Sequence, residues 1–179
     1  MLNKYENNKK NKANLLLFRI DGILMEELLL EAREELKRLE HIIYVTLKYT
    51  RTVDVLVNAL QRLVDIYDLI IEALLEKAKA EKLVDSLAKS PALRAKNLQE
   101  LYADDKQLEN YLKFYTFIKN LLKSPYSKRE EFRRHVTHVV ELENSTATID
   151  IDNLVNCERF SHQFFRYAWG KVVGLPEED

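Results

Sequence analysis

The sequence predicts a mainly α-helical fold: a helical bundle with two long N-terminal helices and one small β-hairpin near the C-terminus. Three observations predict it. The 179 residues include only three glycines and three prolines, too few turn formers for a sandwich or an α/β fold. Apolar residues recur at spacings of three and four from Met25 onward and again at the end of the chain. Near residue 136 that period gives way to strict alternation, the signature of half-buried strands.

The first element runs from Met25 to about Tyr49, with Met25, Leu28, Ala32, Leu36, Leu39, Ile43 and Leu47 on one face. The Asn/Lys-rich segment before it, MLNKYENNKKNKAN, is almost devoid of hydrophobic residues and is expected to be disordered. Residues 1–24 are therefore read as a loosely attached extension, with Met25 as the natural start, and residues 25–179 as a single domain. The second helix, about 52–84, is apolar over most of its circumference, leaving a polar stripe of Asp54, Asn58, Gln61, Asp65, Asp68 and Glu72. Such a helix must be contacted from several sides, which makes it the centre of the bundle.

Ser90-Pro91 supplies an N-cap and a proline at the first helical position, opening a short helix to about Tyr102. Asp104 with Gln107 resembles a capping box for the next helix, which points Leu108, Tyr111, Leu112, Tyr115, Ile118 and Leu122 inward. Ser127-x-x-Glu130 predicts a capped basic helix from Ser127 to about His135. Alternation in 136–142 and again in ATIDID, with Glu-Asn-Ser at the turn, predicts a hairpin over 136–151. A lone hairpin is marginal in water, so it must pack on the helices or on another chain. Asp152 is placed to cap the last helix, whose Leu154, Phe160, Phe164, Ala168 and Val172 face the core. Gly174 and Pro176 end it.

Composition narrows the function classes. Hydrophobic residues make up 46% and charged residues 32% of the chain, which suits one packed domain. The net charge of −1 gives no global attraction to nucleic acid or anionic lipid, so no DNA or membrane partner is expected and RNA would need a local patch. The apolar run LLLFRIDGILMEELLL is broken by Arg19, Asp21 and Glu26, too often for a membrane span. A single cysteine, Cys157, excludes an internal disulfide and fits a reducing compartment. A cytoplasmic protein is expected, with Cys157 a buried, inert thiol.

The densest candidate chemistry lies in SKREEFRRHVTH, residues 127–138. Arg129, Arg133, Arg134 and His135 are candidates to hold phosphates of an RNA. Arg133 and His138 are a candidate catalytic pair, the histidine moving a proton at a 2′-hydroxyl and the arginine stabilising the charged phosphate. The alternative is a solvated face whose charges pair locally, Glu130 with Arg134 and Glu131 with His135. His135-x2-His138 lacks a third ligand at a recognisable spacing, so neither a metal nor a cofactor is expected.

The spacing Arg133-x4-His138 resembles the motif of HEPN domains. That resemblance implies a small helical bundle that dimerises to form a metal-independent ribonuclease cleft. The sequence departs from the motif in carrying Arg134 where that family favours an uncharged polar residue, and in leading into a strand. From EAREELKRLEHIIYVTLKYTRTVDV onward the chain also resembles small uncharacterised helical proteins of archaeal genomes, a likeness that implies no activity.

Two further stretches carry candidate chemistry. Asp65, Asp68 and Glu72, facing Glu31, Glu34 and Glu35 on a neighbouring helix, are placed to hold Mg²⁺ against a nucleotide phosphate; they are equally the only solvated face of a buried helix. YTRTVDV, 49–55, joins the long helices, with Thr50 or Thr52 expected to cap the second and Arg51 available to an anion. The leading expectation is a non-catalytic interaction module, a homodimer through its hairpin or last helix. The alternative is a HEPN-like ribonuclease or RNA-binding protein.

Overall fold

The computed structural model describes the backbone of residues 2–174 and the side chains of residues 22–174. The first helix, α1 (Leu2–His41), continues through a π-helical turn (Ile42–Thr46) and one α turn (Leu47–Tyr49). The disorder expected of residues 1–14 and the loosely attached extension expected at 1–24 fall on residues whose side chains, up to residue 21, lie outside the described ones, while the backbone from Leu2 belongs to α1. From Met25 on, α1 buries Met25, Leu29, Ala32, Leu36 and Leu39. In the π turn the Leu47 amide donates to the Ile42 carbonyl, five residues back. That extra residue lets Ile42, Ile43 and Leu47 all reach the core.

The chain straightens at Thr50–Thr52 and enters α2 (Val53–Ala80), about 42 Å long at 1.5 Å per residue. α2 is the central helix: it packs against α1, against the short α3 (Pro91–Leu101), against α4 (Lys106–Lys123) and against α5 (Ile151–Val172). It stops four residues short of the expected end. Lys82 takes a left-handed conformation at φ 61°, and the Leu83 amide closes back on the Ala78 carbonyl at 2.9 Å. This is a wrapped helix end of the kind glycine usually makes, here carried by a lysine and so invisible to a search for glycine.

Two other helix starts are shifted by one or two residues. Asp105, not Asp104, caps α4 by accepting from the Leu108 amide. Asp150, not Asp152, caps α5, in a reciprocal box with Asn153. The core between α2, α4 and α5 is aromatic. Phe164 packs 4.8 Å from Tyr67 and 4.6 Å from Tyr111 between ring centres, and Phe114 meets Phe160 edge-on. Of the aromatic residues on α5 only Phe164 is fully buried; Phe160, Phe165, Tyr167 and Trp169 lie half-buried around it.

The largest correction concerns residues 126–135. They do not form a capped helix. Tyr126–Arg129 is a strand, β1, pairing antiparallel with β2 (Thr137–Leu142), which pairs with β3 (Ser145–Ile149). The expected hairpin is thus two strands of a three-stranded sheet in the order β1-β2-β3. An isolated two-turn helix gains too few hydrogen bonds to offset nucleation, whereas pairing with the edge of β2 satisfies backbone groups on both strands. Register places Lys128 opposite His138 and Tyr126 opposite Val140. Among the described residues no helix is long and apolar enough to cross a membrane.

Candidate functional site

The two stretches singled out in the sequence, 49–55 and 127–138, meet. Three contacts fasten β1 and the segment after it to the junction between α1 and α2. Lys128 Nζ lies 2.8 and 2.9 Å from the two carboxylate oxygens of Asp54. Glu131 Oε1 accepts from the Val53 amide at 3.1 Å. The Phe132 amide donates to the Arg51 carbonyl at 2.7 Å. Thr52, expected to cap α2, makes no side-chain cap; a carboxylate from elsewhere in the chain does so in its place, and its charge also suits the helix N-terminus.

Reaching those contacts forces the backbone into an unusual path. Glu130 and Phe132 both have positive φ, 53° and 65°, a region costly for a bulky residue and tolerated where surrounding contacts hold it. The consequence is exposure of the Phe132 ring, at 79%; Tyr49, just before the junction, is 83% exposed.

Beside the junction lies a cleft of about 430 Å³. Lys48 and Arg51 line it from the helix junction and Arg134 and His135 from the docked segment; Asp150 and Asp152 face them from the start of α5. Ile43, Tyr44, Leu47 and Ile151 complete the lining with apolar surface. The neighbouring cations are committed, Lys128 to Asp54 and Arg133 to Glu130. Among the described residues Lys48, Arg51 and Arg134 make no ion pair. Three cations without an ion pair, a histidine and an apolar wall, with the exposed Tyr49 next in the chain to Lys48 and Phe132 two residues before Arg134, suit an anion that carries planar groups.

The expected phosphate-binding residues divide. Arg134 and His135 line the cleft. Arg129 ends β1, opposite Thr137, and Arg133 is 76% exposed on its side chain, 3.5 Å from Glu130; neither lines the cleft. His138 is withdrawn from the surface. It sits on β2 at 1% exposure, with the Tyr126 ring edge-on 4.7 Å away and neither ring nitrogen hydrogen-bonded. Burial holds its pKa below the ordinary value. The neutral ring is packed as a hydrophobe, and no polar atom of it reaches a surface shared with Arg133. Cys157 is half-buried, and burial pushes its thiol up to about 11.

Of the carboxylates expected to face one another across α1 and α2, Glu35 on α1 and Asp68 and Glu72 on α2 each have a donor of the protein. Glu35, buried, takes Arg62 at 2.8 Å and Arg38. Glu72 takes Arg94 at 2.6 Å. Asp68 accepts from the Tyr115 hydroxyl, and burial raises its pKa. Carboxylates dispersed in this way onto arginines and a phenol do not converge on a cation.

A different cluster went unnoticed in the sequence. Glu40, near the end of α1, and Glu158 and His162, one turn apart on α5, bring their oxygen and nitrogen atoms together. His162 Nε2 lies 2.8 Å from Glu40 Oε1 and 3.0 Å from Glu158 Oε1. Tyr44, from the π turn and the wall of the cleft, donates to Glu158 Oε2 at 3.4 Å. The Glu158-x3-His162 spacing was the local signal; Glu40 is far away in sequence and has none.

No protein-family model, no curated protein and no solved structure matches this chain.

Proposed function

We propose that the protein is a non-catalytic module that binds single-stranded RNA through the cleft at the α1–α2 junction. One observation carries this reading: two aromatic residues, Tyr49 and Phe132, are largely exposed on the segments that supply Lys48, Arg51 and Arg134, cations that make no ion pair among the described residues. Single-stranded nucleic acid is held by that combination, cations along the backbone and aromatic faces for the bases. Lys48, Arg51 and Arg134 would take phosphates, and Asp150 or Asp152 would accept from ribose hydroxyls, which DNA lacks at the 2′ position.

The test is fluorescence anisotropy with a labelled single-stranded RNA, a DNA of the same sequence and a free nucleoside monophosphate. Arg51→Ala with Arg134→Ala is expected to weaken RNA binding at least about tenfold and to lower the slope of log K against log salt by roughly 1.4, about 0.7 for each lost phosphate contact. Tyr49→Ala and Phe132→Ala should each cost about 1–3 kcal/mol of binding. Equal binding by wild type and the arginine double variant would overturn the reading.

The HEPN-like alternative uses Arg133 and His138. It requires His138 to leave its packed position and a second copy to complete the cleft. Cleavage of RNA in EDTA, lost in both Arg133→Ala and His138→Ala, together with a dimer in sedimentation, would replace the binding-module reading with that one.

A further inference from the structure

We propose that Glu40, Glu158 and His162 form a binding site for a first-row divalent transition metal ion, of which Zn²⁺ is the representative. The site stands apart from the RNA reading and does not depend on it. Its donors come from two helices packed against one another, α1 and α5, and one ligand atom from each residue lies within 4.8 Å of the others. The two spacings from the imidazole nitrogen, 2.8 and 3.0 Å, approach the separation of about 3.4 Å between neighbouring ligands of a tetrahedral ion bound at about 2.1 Å. Small side-chain rotations open the rest.

Charge favours an ion here. Glu158 is 6% exposed, and among the described residues neither it nor Glu40 meets a lysine or arginine. One imidazole nitrogen faces two carboxylate oxygens and has at most one proton to share between them. A protonated His162 leaves the trio at −1; a dication with a neutral imidazole brings it to zero. The donor set selects the class, since imidazole with carboxylates suits Zn²⁺ and its neighbours better than the all-oxygen shells of Mg²⁺ or Ca²⁺. Tyr44 holds the second oxygen of Glu158, the outer contact that fixes a ligating carboxylate. With three protein donors and Glu40 and His162 half-exposed, the remaining coordination is open to water.

Isothermal titration of the EDTA-stripped full chain with Zn²⁺ tests this, with Co²⁺ absorption as a second readout of coordination. The expected result is one equivalent bound and a Co²⁺ spectrum of a four- or five-coordinate ion. Glu40→Gln and His162→Ala should each weaken Zn²⁺ by at least about a hundredfold, more than an outer-contact change costs, while Glu34→Gln, elsewhere on α1, leaves it unchanged. Glu40 lies at the edge of the cluster, so its variant reports on metal even if the His162 variant is less stable. No saturable binding by the wild type, or binding equal in wild type and Glu40→Gln, overturns the proposal and leaves the trio as a histidine shared by two carboxylates.

Discussion

The carboxylates between α1 and α2 and the cations lining the cleft at the α1–α2 junction differ in one respect, whether each has a partner. Between α1 and α2 the inward carboxylates meet donors: Glu35 of α1 has Arg62 and Arg38, and Glu72 and Asp68 of α2 have Arg94 and Tyr115. At the junction Lys48, Arg51 and Arg134 line a cleft without an ion pair among the described residues, and Glu158 is buried with a histidine and a tyrosine as its partners among them. Both regions look alike in sequence, as charge scattered on helices. A partnered charge supports the fold, and an unpartnered one is available to something else.

The sharpest way to break the comparison is to orphan a partnered charge. Arg62→Ala leaves Glu35 in the core with only Arg38. It should cost about 1–2 kcal/mol in urea unfolding, below the 3–5 typical of a fully buried pair because Arg62 is partly solvated. Replacing Glu35 and Arg62 together by Met should be close to neutral.

Next in size is acid. Burial depresses the pKa of His138, so the unfolded chain takes up a proton that the folded ring resists. The neutral ring therefore contributes its full stability above its ordinary value of 6.5, and that contribution is lost as pH falls through and below it. The thermal midpoint should drop between pH 8 and pH 5.5, and His138→Phe should flatten that part of the profile. An unchanged slope in the variant would mean that other groups carry it.

Glu131→Ala removes the cap on α2 and should cost about 1 kcal/mol, whereas Thr52→Ala should cost less than half as much; the reverse order would restore the local cap expected from the sequence. Smallest of all, Arg51→Ala and Arg134→Ala should leave the unfolding midpoint where it is while RNA binding falls. If either destabilises the protein appreciably, its charge has a partner after all.

The helices were legible because periodicity reports burial directly. Met25, Ala32, Leu36 and Leu39 were placed on the core face from spacing alone, and α2 was recognised as central because few of its positions are polar. What escaped was set by contacts distant in sequence. Nothing local says that Glu131 will cap Val53, so Ser127-x-x-Glu130 read as the start of a helix when its residues belong to a strand edge and a docked turn. The same limit applies to the cleft: Arg134 and His135 were named and Arg51 was read as available to an anion, but Lys48 was not, and nothing local joins the two stretches. Glu40 could not be joined to Glu158 and His162 without knowing that α1 and α5 are neighbours.

The cap on α2 also bears on the order in which the molecule assembles. The acceptor for Val53 lies 78 residues further along the chain, so helix α2 must form, and its partners must gather, before its first turn is sealed. Closing so long a loop is slow to reward the chain that closes it. The junction is therefore a late event on the folding route, and Glu131→Ala should quicken unfolding while leaving the refolding rate nearly untouched in a stopped-flow chevron.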